Sequence, residues 1–153
     1  MPLSHFDEKS GVVPFKADWG QWYQTIEEVH IEITKYKNLK SKDVSIQITA
    51  SHIKCQVLNN IVIEGKLFRT VHANEAVWTI EDGGSLLNIV LPKADYSKKE
   101  IIWEALLADG QYRPDPITLL EMRKKIDLEH FQIEHPGFDF SSAKLKKSYE
   151  PEA

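Results

Sequence analysis

The chain has 153 residues and a mass of 17.6 kDa, the size of one domain, and buries roughly 70% of the surface its unfolded form exposes, so no metal or disulfide staple is required. With 42% hydrophobic and 27% charged residues it has the composition of a soluble globular protein, and its net charge of −4 argues against a nucleic-acid partner, whose affinity comes from neutralising phosphates. The single cysteine, Cys55, excludes an internal disulfide and points to a reducing compartment.

The first residues, Met1-Pro2-Leu3-Ser4-His5-Phe6-Asp7-Glu8-Lys9, contain no apolar core of the kind a signal peptide needs. Uninterrupted apolar runs reach about four residues, as in Ala105-Leu106-Leu107-Ala108, far short of the roughly 20 that span a bilayer. No asparagine lies in a glycosylation sequon and the chain carries no prenylation box. The expectation is a cytoplasmic protein with no membrane partner.

Residues 1–18 show no period and read as an irregular or edge-strand arm. Over 19–93 the period is two: Val29, Ile31 and Ile33 alternate with polar neighbours, as do Val44, Ile46 and Ile48, then Ile53, Cys55 and Val57. This alternation marks half-buried strands with one wet face. Asn59-Asn60 fits a two-residue hairpin because Asn tolerates positive φ, and Gly65 is read as ending a short strand at 61–64. Ala76, Trp78 and Ile80 alternate next, and Asp82-Gly83-Gly84 returns the chain into a strand at 86–91 closed by Pro92. With a strand at 19–24, about seven short strands follow at spacings of roughly 10 residues, which predicts an all-β, antiparallel β-sandwich. The lysine-rich link 35–42 reads as a solvated loop anchored by Leu39 or Tyr36.

After Pro92 the period changes. Ile102, Trp103, Leu106 and Leu107 have helical spacing and predict a short helix or helical turn within 96–107. Asp115-Pro116 is a helix start, with Asp as N-cap and Pro at the first helical position, leading through Leu119, Leu120, Met122, Arg123 and Ile126. Asp127 is positioned to cap a second helical piece at 128–134, stopped by Pro136-Gly137. The expected organisation is an arm at 1–18, a sandwich at 19–108, a helical extension with an aromatic segment at 109–140, and a polar, disordered tail at 141–153.

No motif for catalysis stands out. His72-Ala73-Asn74-Glu75 lies in a β region, whereas a zincin needs both histidines on one helix face, and His130 and His135 lack a partner cysteine. Cys55 shares the inward register of Ile53 and Val57, and Gly83-Gly84 lacks the Lys-Ser/Thr of a phosphate loop. These patterns imply no enzyme, no cofactor and no metal, and favour a binding module.

Binding energy would then come from aromatic side chains, each able to bury about 150–250 Å². Trp78 and Trp103 are expected in the core. Trp19 and Trp22, three apart, must face opposite ways in a strand, so at least one leaves the main core and is either covered by the arm or the C-terminal helices or meets a partner. Phe138 and Phe140 share a face if extended, and either staple the tail to the sandwich or dock elsewhere.

Several of these runs carry a resemblance. Gly20-Gln21-Trp22-Tyr23-Gln24-Thr25 with Glu27-Glu28-Val29 resembles the opening of a NudC-type CS domain. Gly65-Lys66-Leu67-Phe68, followed by Glu75-Ala76-Val77-Trp78-Thr79-Ile80-Glu81-Asp82, is similar to that family's central signature. The ending with Phe131, Pro136, Gly137, Phe138, Asp139 and Phe140 resembles its C-terminal motif. In the family a Pro/Gly-bearing turn usually follows the second strand, where this chain has the lysine-rich 35–42. The resemblance implies a seven-stranded antiparallel β-sandwich with a C-terminal helical extension and a non-enzymatic co-chaperone or adaptor. It further implies protein partners: heat-shock protein 90, β-propeller clients and the lissencephaly-1 protein, with possible residence at centrosome or spindle. A chaperone-independent scaffold of the dynein and microtubule pathway is the alternative. Of the motif positions, Lys66, Phe138 and Phe140, with Arg69 nearby, are the contact candidates beside Trp19 and Trp22. The binding sheet face, the physiological client and the oligomeric state stay open.

Overall fold

The computed structural model describes residues 12–94 and 102–134. Eight strands form two sheets: β1 (Phe15–Ala17), β2 (Gly20–Gln24), β3 (Glu28–Ile33), β4 (Val44–Ile48), β5 (His52–Val57), β6 (Asn60–Lys66), β7 (Val77–Glu81) and β8 (Leu86–Pro92). A five-stranded sheet has the order β1-β2-β3-β8-β7 and a three-stranded sheet the order β4-β5-β6, with every pairing antiparallel. The predicted sandwich is present with eight strands instead of seven. The additional one is β1, the arm's edge strand, which forms a tight hairpin with β2.

The core follows the inward registers. Val29, Ile31 and Ile33 of β3 lie opposite Leu91, Ile89 and Leu87 of β8. Ile53, Cys55 and Val57 of β5 face them from the other sheet, and all nine are almost fully buried. The lysine-rich 35–42 link is pinned by Leu39, 5% exposed, whose N–H donates to the Gly84 carbonyl at 2.9 Å. A Cβ on Gly84 would fall 2.5 Å from the Leu39 nitrogen, so glycine is what lets the loop pass.

The β5–β6 turn sits at Leu58-Asn59, both with positive φ (52° and 67°), one residue before the expected Asn59-Asn60. The reason lies in register. With the turn at 59–60, Ile63 would oppose the outward-facing Gln56. The observed turn and a bulge at Val62 place Ile63 opposite Cys55, where it is buried. Strand β6 also runs on through Gly65 to Lys66 instead of ending at 64, because the missing side chain admits Leu107 beside it.

The helix expected within 96–107 does not form over the described residues 102–107. Their main chain is bonded elsewhere: Trp103 N–H to Gln24, the Leu106 carbonyl to Phe68 N–H and Ala108 N–H to the Lys66 carbonyl. The helical spacing of Ile102, Trp103, Leu106 and Leu107 arises because the segment is buried on nearly every side. Asp115 caps the following helix as predicted, accepting from Thr118 N–H and Oγ1 at 3.2 and 2.6 Å. These bonds hold its carboxyl below the usual carboxylate range. The helix, α1 (Pro116–Glu134), continues through Asp127, so the expected second piece is part of the first.

Candidate protein-interaction surface

Trp19 and Trp22 are both in the core, 3% and 0% exposed, which corrects the expectation that one of them leaves it. Trp19 occupies the two-residue turn between β1 and β2, so the strand alternation that separates the two rings does not reach it. Its ring meets Tyr112 edge-on at 5.3 Å, and Trp22 donates its indole N–H to the Tyr112 carbonyl at 3.0 Å. Trp103 is fully buried, whereas Trp78, on the edge strand β7, is half-buried against the core.

Lys66 is exposed at the end of β6. Arg69 is half-buried: its Nε donates to the Ile102 carbonyl at 3.2 Å and its guanidinium lies 5.2 Å from the Phe68 ring centre. It therefore holds the 102–107 segment in place. Phe138 and Phe140 lie outside the described residues; of the other predicted contact residues, Trp19 and Trp22 come together around Tyr112, inside the core and not on a surface.

The sequence reading missed a buried polar junction that fastens the C-terminal segment to the five-stranded sheet. Gln24, two residues after Trp22 and on the same face, accepts from Trp103 N–H and donates to its carbonyl, each at 2.9 Å. Lys93, 2% exposed, donates from Nζ to the same Gln24 oxygen at 3.0 Å. Burial pulls the Lys93 ammonium down to about 7, with Glu129 opposing and Arg69 reinforcing that shift. Glu129, on α1, accepts the Ile26 N–H at 3.2 Å, and Ile26 packs against Ile126. The inward period of β2 marked Gln24's position, but nothing in the residues around Lys93 announced its burial.

This junction decides which face α1 presents. Met122 and Ile126 are buried against the sandwich. The opposite side carries Ile117, Leu120, Leu128 and Phe131, 70%, 52%, 38% and 36% exposed. Their separations of three, eight and three residues put them on one stripe at helical periodicity. A helix apolar on both faces is docked through one and offers the other, and exposed apolar patches of this kind mark interaction sites. The signal was present in the sequence, where the adjacent Leu119 and Leu120 lie about 100° apart around the helix, Leu119 toward the core and Leu120 away from it.

The chemistry elsewhere is quiet. The Cys55 thiol is pushed up to about 12 by burial, which removes its nucleophilic form. Among the described residues no three His, Cys, Asp or Glu side chains cluster to hold a metal ion.

Residues 18–93 match the CS domain family. The chain is 40% identical over 144 residues to NudC domain-containing protein 2 of Homo sapiens, covering 94% of this chain and 90% of that protein, and equally so to the protein of that name from Rattus norvegicus. The crystal structure of the Mus musculus NudC domain-containing protein 2 aligns over 86% of this chain and 98% of that one at 34% identity, with a TM-score of 0.47. The solution structure of the CS domain of human KIAA1068 protein shares the fold, with a TM-score of 0.56 and 22% identity over 67% of this chain and 82% of that one. The chain belongs to the NudC family of CS-domain proteins.

Proposed function

We propose that the protein is a non-enzymatic co-chaperone or adaptor that binds client proteins of the β-propeller type, the lissencephaly-1 protein among them, and links them to heat-shock protein 90. The CS domain and the NudC-family relatives support a co-chaperone-like role. The observation that carries the reading is the outward apolar stripe of α1, Ile117, Leu120 and Leu128, on a helix held to the sandwich through Glu129 on the Ile26 N–H, Ile126 on Ile26 and Met122 on Gln24. A helix so presented fits a groove on a partner protein.

The test is capture from cell extract by the purified full chain, followed by mass spectrometry. Heat-shock protein 90 or a propeller protein is expected among the captured proteins, with recovery falling sharply for the double substitution Leu120→Asp and Leu128→Asp. Both side chains are exposed, so the variant should keep its helix content. Capture of neither partner by the wild-type chain, or capture indifferent to the double substitution, contradicts the reading.

A further inference from the structure

We propose that the outer edge of β6 receives an extended acidic segment of a client protein, which adds to the three-stranded sheet as a fourth strand. The inference rests on the client-binding reading and assigns the client a second point of contact, distinct from α1.

Strand β6 is an edge, with β5 on one side only. Its C-terminal end is closed by Leu107 and Ala108, through the Leu67–Leu107 bridge and the 2.8 Å bond from Ala108 N–H to the Lys66 carbonyl. Over 61–64 no backbone hydrogen bond crosses the outer edge among the described residues. Such a row of unpaired N–H and C=O groups is the template that strand addition uses.

Beside this open stretch lies a hollow of about 410 Å³, whose wall includes Trp19, Ile61, Val62 and Tyr112 with the charged Lys35 and Asp18. The bulge at Val62 turns that side chain toward the core and leaves Ile61 outside, 53% exposed, next to Leu58 at 50%. Together they supply an apolar seat for one side chain of an incoming strand. The indole N–H of Trp19, a residue of this wall, is buried and has no acceptor among the described residues.

Charge selects the occupant. Lys35 lines the hollow, and Lys37, Lys40 and Lys42 are exposed on the same 35–42 loop, against a chain that is net negative. The loop is tied to the β5–β6 turn by Leu58 N–H, which donates to the Asp43 carbonyl at 2.8 Å. The 35–42 loop carries four lysines and no acid, so its field attracts an acidic strand and repels a second copy of the same loop and edge.

Titration of the isotope-labelled full chain with a short peptide alternating valine or isoleucine with aspartate or glutamate tests this by NMR. The expected result is saturable shifts at the amides of 58–64 and at the Trp19 indole, weakening with salt, and at least about ten-fold weaker binding by Ile61→Lys. The same peptide with lysine in place of its acids is expected not to bind. No binding, equal binding of the basic peptide, shifts confined to α1, or peptide-independent dimerisation through β6 each overturns the proposal. The two readings separate cleanly. If capture of heat-shock protein 90 or a propeller protein survives but the acidic peptide leaves β6 unmoved, only the edge site falls. If the peptide binds β6 but neither protein is captured, the adaptor reading falls and the edge site stands.

Discussion

The side chain of Gln24 pairs with the main chain of Trp103 in both directions, Nε2 to the carbonyl and Oε1 from the N–H, each at 2.9 Å. One amide thereby does what a strand partner would do for an irregular segment, satisfying both polar groups of a residue that is fully buried. Replacing it by leucine keeps the volume and leaves the Trp103 N–H and carbonyl without those partners, beside a buried ammonium. Gln24→Leu should cost about 2–4 kcal/mol, read as a lowered urea midpoint with two-state slope retained. A loss within the scatter of surface substitutions would mean that the junction does not hold the C-terminal segment.

Lys93 gives that junction a pH dependence whose sign follows from its depressed titration. Its folded-state value is about 7 against an ordinary 10.5, so between those limits the unfolded chain holds a proton that the folded one has released. Stability therefore rises with pH across this window, by at most about 1.4 kcal/mol per pH unit, and the folded state carries the full cost of the buried ammonium below it. The difference in unfolding free energy between wild type and Lys93→Met should accordingly grow in favour of wild type from pH 7 to 9.5. A flat difference would show that Lys93 titrates normally.

Gly20 opens β2 with φ 151°, and a Cβ there would lie 1.9 Å from the Glu32 carbonyl oxygen of β3. The clash is with backbone in the middle of a sheet, so no side-chain rotation relieves it. Gly20→Ala should destabilise by more than about 2 kcal/mol, seen as a fall in Tm, whereas Gly83→Ala, with open space around its Cβ, should cost less.

The Cys55 thiol offers a check on the core itself. Buried, and titrating only near 12, it should react with a thiol reagent at pH 8 in the unfolded chain and resist in the folded one. Modification at equal rates in both states would contradict its placement against Ile63 on β6.

How far the sequence could be read depended on whether a feature was periodic. The inward faces of β3, β5 and β8 followed from alternation, because burial on one side of a pleated strand leaves a mark every second residue. The Asp115 cap followed from chemistry confined to four residues. The 102–107 segment misled because a chain buried on all sides also spaces its apolar residues at three and four, and its partners, Gln24 and Phe68, are distant in sequence. The turn at Leu58-Asn59 was displaced by a residue because Ile63's burial outweighed the comfort of a second Asn at positive φ. Among the candidate contact residues Lys66 is exposed, whereas Trp19 and Trp22 are buried, since a two-residue turn lets two rings three apart converge. The stripe on α1 was written in the residues yet concealed by the apolar residues of the docked face.

Direct calorimetric titration of the purified full chain with purified heat-shock protein 90 and with a purified β-propeller protein tests the proposed binding through the exposed apolar face of α1. Saturable binding of at least one of them is expected, weakened about ten-fold or more by Leu120→Asp with the urea midpoint unchanged. Absence of binding to both by a folded chain, or binding that Leu120→Asp leaves untouched, would contradict it.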